Sequence, residues 1–214
     1  MKNWSIYFSL VTLHWFLTLS LQYLFVDDSL YYQTFGEQMS LARIDDILEY
    51  SKKHEWLGYA VIPIIIISRI FFTTTFLYIG IFFTELNVCF SKLFRSVLIA
   101  DVVYLLSAFC KLGILIFFKE LNTLNDLQFQ PLSVMELLDK SSVDPLFLYP
   151  LSLLNFFELS YFIFLAWLLL PVINEANAEQ PLKFGKSLQM VTTSYGSGLL
   201  LWVLIVMFIT LNMS

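Results

Sequence analysis

Charged residues are scarce in this sequence. Asp, Glu, Lys and Arg make up 14% of the 214 residues, whereas a soluble domain usually carries about a quarter. The hydrophobic fraction is 58%, and the single core of so short a chain does not bury that much apolar surface. Because the excess must face lipid, the composition predicts an integral membrane protein with one membrane domain over residues 1–214.

Basic clusters and metal-ligand patterns are also missing. The net charge is −5, and no run of Lys and Arg offers the phosphate contacts that nucleic acid needs, so nucleic acid is excluded as a partner. Cys89 and Cys110 are too few for a disulfide framework and lack zinc spacing. His14 stands alone in an apolar run and His54 in a connecting segment, so neither a metal site nor a cofactor is predicted.

Motifs for catalysis are not found. The sequence contains no H-E-x-x-H, G-x-S-x-G, P-loop or G-x-G-x-x-G pattern, and no Cys, His and Asp set is spaced for nucleophilic catalysis. We therefore expect no catalytic residue and a non-enzymatic protein. An intramembrane enzyme with an unfamiliar site stays as the third hypothesis.

Long apolar runs are what the sequence has instead. Each of five runs approaches the roughly 20 residues that a membrane span requires, and lipid forces such spans to be helical. The first is expected to be a retained span, because no small-residue cleavage site follows it. The predicted fold is an all-α polytopic membrane bundle with five transmembrane helices at about 7–26, 57–83, 97–118, 146–170 and 188–211.

Basic residues near span ends indicate the orientation. Lys92 and Arg95 follow the second span, and Lys183 and Lys186 precede the fifth. Short loops with basic residues close to spans tend to be cytoplasmic. We therefore expect a cytoplasmic N-terminus and an external C-terminus, with two long outer loops at about 27–56 and 119–145.

Both outer loops are predicted to contain a short amphipathic helix. In the first loop, Leu41, Ile44 and Leu48 recur at helical spacing among charged residues. In the second, Ser133 and Glu136 stand at capping-box spacing.

Four charged residues fall within the predicted spans: Arg69, Asp101, Lys111 and Glu158. Such residues are costly in lipid unless they are paired or hydrated. Arg69 and Glu158 are estimated to lie at matched depth, roughly 18 Å from the outer ends of their spans at the helical rise, which predicts an ion pair. Lys111, nearer the outside, either joins this pair or extends outward.

Asp101 is placed near the inner end of the third span, where Lys92 or Arg95 is the expected partner. Asn155 is expected to complete the polar cluster by hydrogen bonding. Two interpretations follow: the cluster belongs to an ion or substrate pathway, or it fixes how the helices dock. The second is favoured because no third acid lies at the depth of Arg69 and Glu158 to form a relay.

The fifth span begins with small residues. Ser194 and Gly198 form a small-x-x-x-small pair with Gly196 between them, which permits close approach of another helix. We predict a helix-packing seam at Ser194, Gly196 and Gly198.

Several of these stretches resemble a group of uncharacterised bacterial membrane proteins, some labelled permeases. They are residues 63–70 with 78–80, residues 94–101, residues 149–159 and residues 194–198. The resemblance implies a bacterial cytoplasmic (inner) membrane location and brings no known activity.

The span number, the inferred orientation and the positions of polar breaks are distantly similar to the Yip family. Its members are five-span proteins with cytoplasmic N-termini that act in membrane trafficking. This resemblance implies the same fold and orientation.

The favoured function is a non-enzymatic accessory or scaffold subunit that lies in the lipid bilayer and assembles with other membrane proteins or with itself. The alternative is a small transporter or permease that works around Arg69, Lys111 and Glu158. A water-filled cavity at this cluster would favour transport, and a closed bundle would favour the scaffold.

Overall fold

The computed structural model describes residues 3–84, 86–118, 121–139 and 142–213, and helices dominate these ranges. Two 3₁₀ helices lie at Leu124–Leu127 and Val134–Leu137. The described residues form no strand, only an isolated antiparallel bridge between Ser133 and Asn155. The α-helices are α1 (Asn3–Phe25), α2 (Asp28–Phe35), α3 (Leu41–Phe82), α4 (Phe90–Ala100), α5 (Val102–Phe117), α6 (Pro145–Leu153), α7 (Phe156–Ala176) and α8 (Phe184–Met213).

Within the described residues, five helical segments are long and apolar enough to cross a membrane. They are α1, α3, the α4–α5 pair, α7 and α8. The predicted all-α polytopic bundle is confirmed, and its composition and helices are those of an integral membrane protein. Helix α8 packs against both α3 and α7, and α4 packs against the same two helices.

The predicted amphipathic helix of the first outer loop is the start of α3. This helix has 42 residues, about 63 Å at the helical rise, so it extends well beyond a hydrocarbon core of about 30 Å. Ile44 and Leu48 are buried, and α2 packs against this extension. The Nζ of Lys52 lies 2.8 Å from the Asp28 carboxylate, across the two helices.

Within its described residues, the second outer loop forms only single 3₁₀ turns and not the predicted amphipathic helix. The side chain of Ser133 makes no capping hydrogen bond to the turn Val134–Leu137, so the predicted capping box there is wrong. A capping box occurs earlier, where the Asp126 carboxylate accepts hydrogen bonds from the backbone and side chain of Thr123 at 2.9 and 3.0 Å.

The predicted fourth span, 146–170, is interrupted. Helix α6 ends at Leu153 and α7 begins at Phe156. The second outer loop satisfies backbone groups at this break: Val134 N–H donates to Leu154 O at 2.9 Å, and Phe156 N–H donates to Leu132 O at 3.1 Å. Interrupted backbone is tolerated in a membrane where protein covers it in this way.

The third span differs from its predicted bounds, 97–118, because α4 begins at Phe90 and α5 follows it after a bend at Asp101. At the bend Tyr104 N–H donates to Asp101 O at 3.1 Å, which is the tighter spacing of a 3₁₀ turn. Asp101 therefore lies about 16 Å from the start of the helical segment, and not at its inner end.

Helix α1 docks on α3 around Pro63. Proline has no backbone N–H, so the carbonyl of Tyr59, four residues earlier, loses its helical donor. The indole Nε1 of Trp15 donates to this carbonyl at 2.8 Å. The hydroxyl of Tyr7 donates to Pro63 O at 2.8 Å, so two side chains of α1 bind the altered turn.

Candidate functional site: an intramembrane polar network

Arg69 on α3 and Asp101, between α4 and α5, form a two-point ion pair. Arg69 Nε donates to Asp101 Oδ1 at 2.9 Å, and Nη2 donates to Oδ2 at 2.8 Å. The Asp101 side chain is fully buried, and that of Arg69 is 29% exposed. Parallel hydrogen bonds from a guanidinium to a carboxylate are the strong form of such a pair.

This pairing corrects two predictions. Arg69 binds Asp101 and not Glu158, because the early start of α4 brings Asp101 to the level of Arg69. For the same reason Asp101 does not pair with Lys92 or Arg95. Lys92 lies at an exposed end of the bundle, where its Nζ donates to Glu175 of α7 at 2.6 Å.

Glu158, in the first turn of α7, is bound by two tyrosines. The hydroxyl of Tyr195 on α8 donates to Oε1 at 2.7 Å, and that of Tyr104 on α5 donates to Oε2 at 2.9 Å. The two hydroxyl oxygens lie 3.2 Å apart. Glu158 is 7% exposed and Tyr195 3%, so this contact of three helices is enclosed by protein.

Tyr104 joins the two halves of the network. The guanidinium carbon of Arg69 lies 4.0 Å from the centre of the Tyr104 ring, a cation–π contact. The ring of Tyr161, fully buried, lies 4.8 Å from that of Tyr104 and 5.4 Å from that of Tyr195. Arg69 and Glu158 therefore belong to one cluster without touching.

The tyrosines were missed by sequence reasoning, which considered the charged residues and Asn155 but not the phenolic hydroxyls. A usable signal was present: Tyr104 follows Asp101 by three residues, and Tyr161 follows Glu158 by three. This spacing places both members of each pair on one helix face.

Asn155 lies at the start of α7 and orients Glu158. Its Oδ1 accepts a hydrogen bond from Glu158 N–H at 2.8 Å, the usual N-cap contact. Its Nδ2 donates to the carbonyls of Ser152 and Leu153, both at 3.1 Å. Asn155 is thus a helix cap beside the network, and the Asn-x-x-Glu spacing was its sequence signal.

Lys111 lies further along α5, about two turns beyond Tyr104. Its Nζ is 5.3 Å from the centre of the Phe129 ring, in the second outer loop. The structure thus places this cation against that loop.

The predicted packing seam on α8 packs against other helices of the same chain. A Cβ atom added to Gly80 of α3 would lie 1.7 Å from the Ser194 hydroxyl. A Cβ on Gly198 would lie 2.5 Å from the Phe76 ring, and one on Gly196 would lie 3.5 Å from the Phe162 ring. Ser194, Gly196 and Gly198 therefore face α3 and α7, and they bring α8 close to both.

Among the residues that the structure describes, three buried hydroxyls make no hydrogen bond of normal geometry: those of Thr73 of α3, Tyr161 of α7 and Ser133 of the second outer loop. Such groups carry a desolvation cost that a bound water would relieve. Two surface hollows lie apart from the network. One, of about 340 Å³, is beside Tyr78 and Cys89, and the other, of about 500 Å³, is beside Tyr23 and Asn122.

Within the described residues, no group of three His, Cys, Asp or Glu side chains is placed to hold a metal ion. No family model, curated protein or solved structure matches this chain.

Proposed function

We propose that the protein is a non-enzymatic accessory or scaffold subunit of a membrane complex. The observation that carries the proposal is the ion pair between Arg69 and Asp101. Their charges meet in a two-point pair, with Asp101 fully buried and Arg69 29% exposed, so each charge is balanced by the other. A pair of this kind defines how two helices dock and gives the bundle one arrangement.

The outer half of α8 is the proposed partner surface. Four apolar side chains, Leu200, Leu204, Phe208 and Leu211, recur along it at spacings of three or four residues and are 64–67% exposed. This spacing forms one stripe along the helix. We call these four residues the α8 stripe, and we propose that it binds another membrane protein or a second copy of this chain.

Affinity purification from mild detergent tests this proposal. The double variant Leu204→Ala and Phe208→Ala should lose co-purifying membrane proteins, or the second copy, while its own helical content stays unchanged. A matched double variant on α1, Phe16→Ala and Leu24→Ala, removes side chains that are 62% and 56% exposed and should retain the partners. Equal recovery of partners from both variants would contradict the assignment to α8.

The proposed membrane is the bacterial cytoplasmic membrane, with the N-terminus inside and the C-terminus outside. The ion pair between Lys92 and Glu175 supports the orientation, because it brings the start of α4 and the end of α7 to the same end of the bundle. Basic residues lie near both of these helix ends, and such ends tend to be cytoplasmic. A distant relation to the Yip family is also proposed. The support for this relation is the number of helical segments long enough to cross a membrane, which is five within the described residues.

A transporter is the second candidate, and the break between α6 and α7 favours it. Interrupted helices beside a charged residue are common at solute sites of transporters, and Glu158 lies one turn after this break. Flux assays in proteoliposomes would decide: solute movement abolished by Glu158→Gln and kept by Glu175→Gln would support transport. Identical flux in the two variants would count against a route through Glu158.

A further inference from the structure

Three oxygen-bearing groups meet in a closed triangle between α5, α7 and α8. The Glu158 carboxyl lies 2.7 Å from the Tyr195 hydroxyl and 2.9 Å from the Tyr104 hydroxyl. The two hydroxyls lie 3.2 Å from each other. All three separations are within hydrogen-bonding distance, and each hydrogen bond requires a hydrogen atom between its two oxygens.

The number of available hydrogens depends on the state of Glu158. Each tyrosine hydroxyl supplies one, and an ionised carboxylate supplies none, so two hydrogens would serve three contacts. A protonated carboxyl supplies the third. We propose that Glu158 is a proton-binding site whose bound proton completes a ring of three hydrogen bonds across α5, α7 and α8.

With Glu158 protonated, the three distances permit a closed ring in which the Tyr104 contact has the opposite direction from the one it has with a carboxylate. Tyr195 donates to Glu158 Oε1, the protonated Oε2 donates to the Tyr104 hydroxyl, and Tyr104 donates to the Tyr195 hydroxyl. Oε1 and the two phenolic oxygens then each accept one hydrogen bond, and the protonated Oε2 donates one. Loss of the proton leaves the contact between the tyrosine hydroxyls without a hydrogen, so binding of the proton holds α5 against α8.

The charges around the triangle agree with a neutral Glu158. Arg69 is already balanced by Asp101 at 2.8 Å, so an ionised Glu158 would add a second negative charge beside a single positive one. A buried charge without its own partner costs several kcal/mol. The titratable or charged groups that face Glu158 or adjoin its network are Arg69, Asp101, Tyr104, Tyr149, Tyr161 and Tyr195.

Infrared spectroscopy of the full chain in lipid nanodiscs tests the proposal directly. At neutral pH the wild type should show the C=O stretch of a protonated carboxyl, and Glu158→Gln should lack it. The glutamine amide can still donate one hydrogen and accept one, so this variant should keep the ring and the fold. A wild-type spectrum without the band, or a band that persists in Glu158→Gln, would overturn the proposal.

Stability against pH gives an independent readout. If the folded protein holds a proton that the unfolded chain has released, the unfolding equilibrium constant rises about tenfold per pH unit in that window. The wild type should therefore lose stability relative to Glu158→Gln as pH rises above about 5, where an exposed glutamate is ionised. Parallel pH profiles for the two proteins would contradict proton binding at Glu158.

A tyrosine variant keeps the test decisive if Glu158→Gln fails to fold. Tyr195→Phe removes the hydroxyl that donates to Oε1, so the carbonyl band of the protonated Glu158 should move to the frequency of a less hydrogen-bonded carboxyl. Tyr23→Phe, at a side chain that is 91% exposed, should leave the band in place. An unmoved band in Tyr195→Phe would show that the protonated group is not Glu158.

Discussion

At the scale of single residues, two buried acids of the described bundle differ in their partners: one balances a cation, and the other contacts hydroxyls. Asp101 has two guanidinium donors and no access to solvent. Glu158 lies within hydrogen-bonding distance of two phenolic hydroxyls. The two acids therefore have different roles. Asp101 balances the charge of Arg69, and Glu158 contacts neutral hydroxyls on two other helices.

Removal of the Asp101 charge should be costly. Asp101→Asn leaves the Arg69 guanidinium without its counter-charge inside the bundle, and breaking a buried pair costs on the order of 3–5 kcal/mol. Glu175→Gln breaks the pair with Lys92, whose side chains are 66% and 50% exposed, and exposed pairs are worth about 0–1 kcal/mol. Unfolding by SDS in mixed micelles should show a much larger loss in the free energy of unfolding for Asp101→Asn than for Glu175→Gln. Similar losses in both would contradict a buried ion pair at Arg69.

Asp27 provides a pH-dependent cap outside the spans. The Ser29 hydroxyl at 2.8 Å and the Leu30 N–H at 3.0 Å donate to its carboxylate, and they hold the pKa of Asp27 below its ordinary value of 3.8. The folded state therefore favours the ionised form. The stability that this cap adds to α2 is present above pH 3.8 and is lost as pH falls through the lower folded pKa.

The carboxyl ¹³C shift of Asp27 measures this directly. Its titration midpoint should lie below 3.8, and Ser29→Ala should raise it because the largest stabilising contact of the carboxylate is removed. A midpoint that Ser29→Ala leaves unchanged would contradict the hydrogen bond.

At the scale of helices, close approach and altered backbone determine which elements meet. Helix α8 reaches α3 because Gly80 leaves room for Ser194. Helix α1 reaches α3 because Pro63 frees a carbonyl that Trp15 can bind. In both cases a residue that weakens a helix internally creates the contact between two helices.

Gly80→Ala should destabilise the protein by about 1–3 kcal/mol, the usual range for overpacking, because its Cβ would lie 1.7 Å from Ser194 Oγ. Gly113→Ala in α5 is the matched control, since nothing lies within 4 Å of its added Cβ. Alanine favours a helix over glycine by about 0.5–1 kcal/mol, so the control should be stabilised. The two variants should thus shift the thermal midpoint in opposite directions, and a shared direction would contradict the close approach of α3 and α8.

Trp15→Phe should weaken the docking of α1 on α3. The variant keeps an aromatic ring but leaves the Tyr59 carbonyl without a donor, at a cost of about 1–3 kcal/mol. Trp167→Phe, at a side chain that is 60% exposed, should have little effect. Hydrogen exchange should show faster exchange in α1 for Trp15→Phe alone, and equal protection in both variants would argue against this contact.

At the scale of the whole molecule, the sequence predicts what depends on composition and misses what depends on long-range contacts. Five spans follow from apolar length, because each lipid-exposed helix must carry its own hydrophobic surface. The break before α7 depends on a loop that lies 20–24 residues earlier in the chain, whose Leu132 and Val134 form hydrogen bonds with its backbone. The partner of Arg69 was mispredicted because depth was counted from span ends that lie several residues from the true helix ends.

The orientation of the bundle is the prediction that belongs to the whole chain. Exposed positions in two connections should face opposite sides: Glu179, between α7 and α8, and Glu37, between α2 and α3. In a chain with Cys89→Ser and Cys110→Ser, a membrane-impermeant maleimide added to intact cells should label Glu37→Cys and not Glu179→Cys. In inverted membrane vesicles the pattern should reverse. Labelling of Glu179→Cys in intact cells would place the basic ends of α4 and α8 outside, against the tendency of basic loops to stay in the cytoplasm, and would invert the proposed topology.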